Sequence, residues 1–296
     1  MKRLTISIFL VSLMLAPIAA QQPPSGSAFD WDRVVQPESE RPLRWPVDVA
    51  AASNNELAVA DAYEPRLVIV AWQSAEWTQV REIPLDGAPY AVAHDGNRYA
   101  VSLRKGAGLV AVEGDRHQLR RIPLPDGFMP GALAGVPGGG FLVYDLASGD
   151  VLKIDDSGSA AGRWPVDGPV TGLAAAPSGG FFATVAQRAE ILLYGADGRE
   201  LQRLNVPGEA PVPAWPTGIA LEPGGNLLVV DRHGARLLKM DVGGRLEGRG
   251  SRMGWVPGLL RFPAGLALLP DGRLAVADQG NGRVQLFRPI ARDQTP

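Results

Sequence analysis

A repeated unit constrains this chain more than any other feature of its sequence. The stretch WPTGIALEPGGNLLVVDRHGARLLKMD at residues 215–241 returns, with the same order of apolar runs and Gly-bearing turns, as FPAGLALLPDGRLAVADQGNGRVQLF at residues 262–287. The unit recurs at intervals of 40 to 47 residues, and its first residues are Pro46, Pro89, Pro130, Val170, Pro216 and Pro263. A fixed period of this length predicts an array of small, similar β-sheets.

Each unit contains four short segments with strand character, here called strands A to D in chain order. Strand A is short and rich in small residues, strands B and C are continuous apolar runs, and strand D is the most polar. Gly- and Asn-bearing turns join strands A and B, as tight hairpins require. The polarity of strand D predicts an outer edge position, where charged residues discourage unwanted pairing.

The sixth unit ends after its strand C at Phe287, which leaves no room for a strand D. The segment Ala28–Gln36 (AFDWDRVVQ) precedes the first unit and resembles a strand D. If it pairs with residues 283–287, the ring of sheets closes and no edge stays open. The sequence therefore predicts an all-β fold over residues 28–290: a six-bladed β-propeller with four antiparallel strands per blade and a last blade closed by an N-terminal strand. Five blades and an unrelated tail form the alternative.

Residues 1–20 have the layout of a secretory signal peptide. Lys2 and Arg3 precede an apolar run that is too short to span a bilayer, and small residues end at Ala20 before a polar stretch. This layout predicts cleavage near Ala20, a linker at residues 21–27, a C-terminal tail at residues 291–296, and a periplasmic or extracellular location. Retention of the N-terminus as an anchor is the alternative. No later apolar run reaches the ~18 residues of a membrane-spanning helix.

Charge and cysteine content exclude several classes of function. The net charge is −2, and it becomes −4 if Lys2 and Arg3 leave with the signal peptide. A weakly acidic chain without a basic run is not expected to bind nucleic acid. The chain has no cysteine, which excludes thiol catalysis and thiolate metal sites. We expect a monomer without a membrane segment after cleavage.

The best-preserved units resemble the NHL repeat. The pattern P-x-G-[IL]-A-x-x-x-x-G-x-L-x-V-x-D-x4-R-[LV] occurs at residues 216–237 and 263–284, and the first unit is a degenerate copy. The second and fourth units lack the Asp, and Ser102 and Ala186 are expected at its position. NHL repeats build six-bladed propellers, so the resemblance supports the fold. It says little about function, because one fold hosts many activities.

Two enzyme branches with related propellers imply metal sites. The peptide-amidating lyase branch holds zinc with several histidines. Of the three histidines here, His94 and His117 are predicted at one end of the propeller and His233 at the other, so they cannot meet at one zinc ion. The gluconolactonase-like branch binds a divalent metal through acidic and amide residues on inner strands. The matching column here reads Asp48, Ala91, Ala132, Gly172, Gly218 and Gly265. Asp48 is thus a weak candidate for Ca²⁺ or Mg²⁺, and a metal-dependent lactonase or esterase-like hydrolase is the alternative function.

The repeat also separates structural residues from candidate binding residues. Asp and Arg recur five positions apart, and they are interpreted as salt bridges that stabilise each B–C hairpin: Asp61 with Arg66, Asp231 with Arg236, and Asp278 with Arg283. We call the end of the propeller where strand A starts the top face. Residues predicted there that break the repeat, or that place an aromatic or Arg before strand A, are Trp45, Asp48, Tyr63, Trp215, His233, Trp255, Arg261 and Phe262.

These candidates also have structural interpretations, as interblade packing or as exposed turn residues. No nucleophile motif or phosphate-binding Gly loop occurs, and no catalytic residue is assigned. The sequence thus predicts an exported binding or scaffolding protein whose top face binds a protein, peptide or glycan. No cofactor is predicted, apart from the divalent metal that the hydrolase alternative implies.

Overall fold

A computed structural model of the chain describes residues 27–35, 40–105, 108–113, 118–155, 157 and 159–290. The predicted signal peptide, the tail at residues 291–296 and His117 lie outside the described residues. Within these ranges no helix is long and apolar enough to cross a membrane.

The described residues form six four-stranded antiparallel sheets, one for each predicted unit. Blade 1 consists of β2 (Pro46–Ser53), β3 (Glu56–Asp61), β4 (Arg66–Gln73) and β5 (Glu76–Pro84). Blade 2 consists of β6 (Pro89–His94), β7 (Tyr99–Leu103), β8 (Leu109–Glu113) and β9 (Gln118–Ile122). Blade 3 consists of β10 (Pro130–Gly135), β11 (Phe141–Asp145), β12 (Asp150–Ile154) and β13 (Ala160–Pro165).

The other three blades complete the ring. Blade 4 consists of β14 (Gly172–Ala175), β15 (Phe181–Val185), β16 (Glu190–Tyr194) and β17 (Glu200–Asn205). Blade 5 consists of β18 (Pro216–Leu221), β19 (Leu227–Asp231), β20 (Arg236–Met240) and β21 (Leu246–Gly250). Blade 6 consists of β22 (Leu266–Leu268), β23 (Leu274–Asp278), β24 (Arg283–Pro289) and the N-terminal β1 (Phe29–Val35). Short 3₁₀ turns at Ala186–Arg188 and Gln279–Asn281 join strands B and C in blades 4 and 6.

The N-terminal strand closes the ring, as predicted. β1 pairs antiparallel with β24, so that Phe29 lies opposite Pro289 and Val35 opposite Val284. The six-bladed architecture and its closure by an N-terminal strand are therefore confirmed.

Apolar packing between neighbouring blades holds the ring together. Successive residues of a strand point to opposite faces of its sheet. In β3, Leu57 and Val59 pack against blade 6, whereas Ala58 and Ala60 pack against blade 2. Both faces of each central strand are therefore buried, which explains why strands B and C are continuous apolar runs in the sequence.

The strand register corrects the position of the repeated Asp in two blades. In blade 1 Pro46 pairs with Asp61, and in blade 2 Pro89 pairs with Leu103. In blade 4 the equivalent residue is Val185, which pairs with Glu190 as Asp61 pairs with Arg66. The expectation of Ser102 and Ala186 at this position was therefore wrong by one residue in each blade. Ser102 instead points to blade 3, where its hydroxyl donates a hydrogen bond to the carbonyl of Gly131 (2.6 Å).

Candidate functional site

The repeated Asp at the end of strand B connects the loops of the top face. In four blades its carboxylate accepts a hydrogen bond from a backbone N–H just before strand A: Asp61 from Trp45 (2.9 Å), Asp145 from Met129 (2.9 Å), Asp231 from Trp215 (2.9 Å) and Asp278 from Arg261 (2.7 Å). Three of these carboxylates also contact the Arg at the start of strand C: Asp61–Arg66 (3.1 Å), Asp231–Arg236 (2.6 Å) and Asp278–Arg283 (2.9 Å). These buried networks hold Trp45 and Trp215 in place on the top face.

A central cavity of about 530 Å³ opens at this face. Its floor is the inner-strand column that contains Asp48, and its walls include Trp45 and Trp215 from the predicted set. Six further polar or aromatic residues that line it were not predicted: Tyr90, Arg104, Thr171, Thr217, Arg232 and Gln279. Three of them, Arg104, Arg232 and Gln279, come directly after a strand B. A comparison of this position across the six units of the sequence could have found them.

Asp48 joins the inner strands of neighbouring blades. Its carboxylate oxygens accept hydrogen bonds from the backbone N–H groups of Val49 and Val92, each at 2.9 Å, and Val92 belongs to blade 2. A Cβ atom on Gly265 of blade 6 would lie only 1.8 Å from its Oδ1 atom, which explains the glycine there. The residues of this column therefore lie where the inner strands of neighbouring blades meet. In the described ranges His, Cys, Asp and Glu form no group of three or more that could hold a metal ion.

Burial raises the pKa of the Asp48 carboxyl from its ordinary value of 3.8 to about 7, although its two backbone hydrogen bonds lower it. The folded state therefore holds this proton more tightly than the unfolded chain, and the resulting stability is full below about pH 4 and lost as the pH rises through about 7. Because solvent in the open cavity screens part of the Asp48 charge, the effect is smaller than the full pKa shift implies. We expect Asp48→Asn to remove about 2 kcal/mol of this pH dependence of stability. Urea unfolding between pH 4 and 8 measures it. An unchanged pH dependence in the variant would contradict this role.

Arg232 lines the cavity as a half-buried cation. Its guanidinium donates hydrogen bonds to the carbonyls of Phe262 (3.0 Å) and Pro263 (3.4 Å) and to Oε1 of Gln279 (2.6 Å). Burial lowers its pKa. Arg104 lies over the ring of Tyr90 at 5.1 Å. Within the described chain neither guanidinium has a carboxylate within salt-bridge distance, whereas most other arginines do.

The other predicted residues surround the cavity rather than line it. The Tyr63 ring lies under the Arg44 guanidinium at 4.9 Å, and Arg261 lies near the rings of both Trp255 (5.9 Å) and Phe262 (5.8 Å). His233 stacks on Trp215 at 4.8 Å and lines a second groove of about 830 Å³ along blade 5 and the loops before and after it. His94 lies at the opposite end of its blade and packs against Tyr99.

Exposed apolar side chains concentrate on the top face. Twelve large apolar side chains are well exposed in the described part of the chain, and eight of them belong to top-face loops: Trp45, Tyr63, Met129, Leu146, Val212, Met253, Trp255 and Phe262. The other four, Val80, Leu119, Leu201 and Val242, are on outer strands or a bottom turn. Scattered exposed apolar residues are normal, but a concentration on one face is typical of an interaction surface.

The fold and these loops define the class of protein: a six-bladed β-propeller. The NHL repeat family model matches residues 260–287, which include three strands of blade 6. The chain thus carries an NHL repeat in its closing blade, and the predicted resemblance is confirmed. No curated protein sequence matches the chain.

Solved structures with this fold come from proteins of different kinds. Virginiamycin B lyase from Staphylococcus aureus is 11% identical, and the match covers 88% of this chain and 100% of that chain with a TM-score of 0.62. A structural genomics protein of unknown function from Bacteroides thetaiotaomicron VPI-5482 is 15% identical over 90% of this chain and 75% of that chain, with a TM-score of 0.68. An auxiliary nutrient binding protein from the same organism is 10% identical over 87% and 72%, with a TM-score of 0.63. At these identities the likeness shows the fold alone.

Proposed function

We propose that this chain is an exported binding protein whose top face binds a segment of polypeptide. The observation that carries the proposal is the concentration of exposed apolar side chains around the central cavity, on the face formed by the D–A loops and B–C turns. Buried apolar anchors supply most of the free energy in protein interfaces, and aromatic side chains are prominent among them. The signal-peptide layout of residues 1–20 supports export.

The kind of exposed side chain favours a polypeptide over a glycan. Sugars pack against flat aromatic faces, and Trp45 and Trp255 offer such faces. Aliphatic and thioether side chains are also present on the top face: Met129, Leu146, Val212 and Met253. These flexible apolar groups are suited to apolar side chains of a partner, and methionine is common on surfaces that bind varied peptides.

Backbone strain at the long D–A loop before blade 6 agrees with a functional role. Phe262 has a φ of +46°, which is uncommon for a bulky residue, and Ser251 has a φ of +63°. The Phe262 ring is nevertheless 40% exposed, and the nearby Trp255 is 74% exposed. Residues held in uncommon backbone conformations cluster at active sites and ligand-binding sites.

A displayed library of random dodecapeptides, selected on the purified protein, tests this proposal. Peptides that bind the wild type should lose at least tenfold in affinity for the triple variant Trp45→Ala/Met253→Ala/Trp255→Ala, because it removes exposed anchors without touching the core. The matched control, Val80→Ala/Leu201→Ala/Val242→Ala, removes three exposed apolar side chains away from the top face and should bind normally. Equal binding by both variants, or failure to select any binder, would overturn the proposal.

A further inference from the structure

Two arginines break the repeat at opposite sides of the central cavity. The residue directly after strand B is Ala62, Arg104, Leu146, Ala186, Arg232 and Gln279 in blades 1 to 6. Arg104 belongs to blade 2 and Arg232 to blade 5, and these blades face each other across a ring of six. The other four blades have a neutral residue at this position, so the turn itself does not require a charge.

Arg232 is a half-buried cation at the cavity wall without a carboxylate partner in the described chain. A half-buried charge is normally compensated by an opposite charge, but the groups that Arg232 contacts are two backbone carbonyls, the amide oxygen of Gln279 and the Phe262 ring, whose centroid lies 5.7 Å from its guanidinium carbon. A guanidinium has five N–H donors, and three hydrogen bonds leave at least two of them for another acceptor. Because the Gln279 oxygen already accepts from Arg232, its amide N–H₂ group is also available at the cavity wall.

Arg104 supplies the second positive charge. Its guanidinium lies over the Tyr90 ring, which orients it while leaving its edge N–H donors free. Asp48 lies on the same cavity floor, but both of its oxygens already accept backbone N–H groups, which partly offset its charge. The cavity therefore offers guanidinium and amide donors beside the rings of Trp45, Tyr90 and Trp215.

We propose that the central cavity binds a carboxylate of the polypeptide segment that occupies the top face, between Arg104 and Arg232. This inference rests on the proposed function and adds the chemistry of the ligand, namely an acidic group flanked by apolar side chains. Guanidinium groups bind carboxylates through paired, charge-assisted hydrogen bonds, and these are stronger than hydrogen bonds to a neutral amide. The carboxylate can belong to an Asp or Glu side chain or to a chain terminus.

The composition of the selected dodecapeptides tests the inference separately from the proposed function. Binders selected on the wild type should be enriched in Asp and Glu. Synthetic copies with each acid replaced by its amide should bind about tenfold more weakly. Copies with a free or an amidated C-terminus separate a side-chain carboxylate from a terminal one. Fluorescence anisotropy of labelled peptides gives each affinity.

The same peptides are then measured against variants of the protein. In Arg104→Gln/Arg232→Gln the difference in affinity between acidic and amide peptides should disappear. The single variant Arg104→Gln changes only an exposed position, so it keeps the test valid if the double variant misfolds, and it should reduce the difference. The control Arg81→Gln/Arg121→Gln makes the same charge change on outer strands and should keep the difference. Apolar binders without acid enrichment that still require Trp45 and Trp255 would overturn the inference but leave top-face binding intact. Arginine-dependent binding of tri-galacturonate, with no binding of the acidic peptides, would also overturn it in favour of an acidic glycan.

Discussion

Replacing Asp278 with alanine is expected to lower the free energy of unfolding by about 3–5 kcal/mol. Asp278 is 0% exposed, and its carboxylate accepts hydrogen bonds from the Arg261 backbone (2.7 Å), Asn281 (2.8 Å), Arg283 (2.9 Å) and Gln285 (2.9 Å). The other contacts of Arg283 are the carbonyls of Val256 and Leu259. Loss of Asp278 would therefore leave a buried guanidinium without a carboxylate.

Urea unfolding of Asp278→Ala against Asp197→Ala measures this effect. Asp197 lies in an exposed bottom turn, where its carboxylate accepts one backbone hydrogen bond from Arg199 (3.1 Å). The control should lose no more than about 1 kcal/mol. A loss that small in Asp278→Ala would mean that the repeated Asp does not hold the loops of the top face together.

Replacing Phe29 with alanine is expected to destabilise the propeller by about 3–5 kcal/mol through loss of ring closure. Phe29 is 1% exposed and begins the N-terminal strand of blade 6. Its ring packs against blade 5 so closely that a Cβ atom on Gly250 would come within 2.7 Å of it. The truncation leaves a cavity between the first and last parts of the chain, where the surrounding strands cannot collapse.

The matched control for Phe29→Ala is Leu201→Ala, on the outer strand of blade 4. The Leu201 side chain is 63% exposed, so the control should stay within about 0.5 kcal/mol of the wild type. Chemical denaturation followed by tryptophan fluorescence compares the two. Equal, small losses in both variants would contradict the role of the N-terminal strand in closing the ring.

The repeat made the fold predictable because its period, its Gly-bearing turns and its polar outer strands all favour the same architecture. The predicted strand register was wrong in the units that lack the repeated Asp. Without an Asp in the second and fourth units, sequence alone cannot place the end of strand B to the residue, and the structure has Leu103 and Val185 there. Since side chains alternate between faces, an error of one residue exchanges the two neighbouring blades that a side chain contacts.

The candidate site was only partly predictable, because its chemistry depends on partners that are distant in the chain. Trp45 and Trp215 were recognisable as aromatics before strand A, and the structure places both beside the cavity. Arg232 looks like an ordinary turn residue in the sequence, and only the folded chain shows that carbonyls surround its guanidinium. For Asp48 the sequence left open a ligand contact or a structural role, and the structure shows its carboxylate hydrogen-bonded to the inner strands of two blades.

Hydrogen–deuterium exchange of the protein with and without a selected acidic peptide tests top-face binding most directly. Bound peptide should slow exchange in residues 44–46, 231–236 and 253–262, which form top-face loops. Exchange in the bottom turns at residues 94–99 and 240–246 should not change. Protection confined to those bottom turns or to the outer strands would contradict binding at the top face.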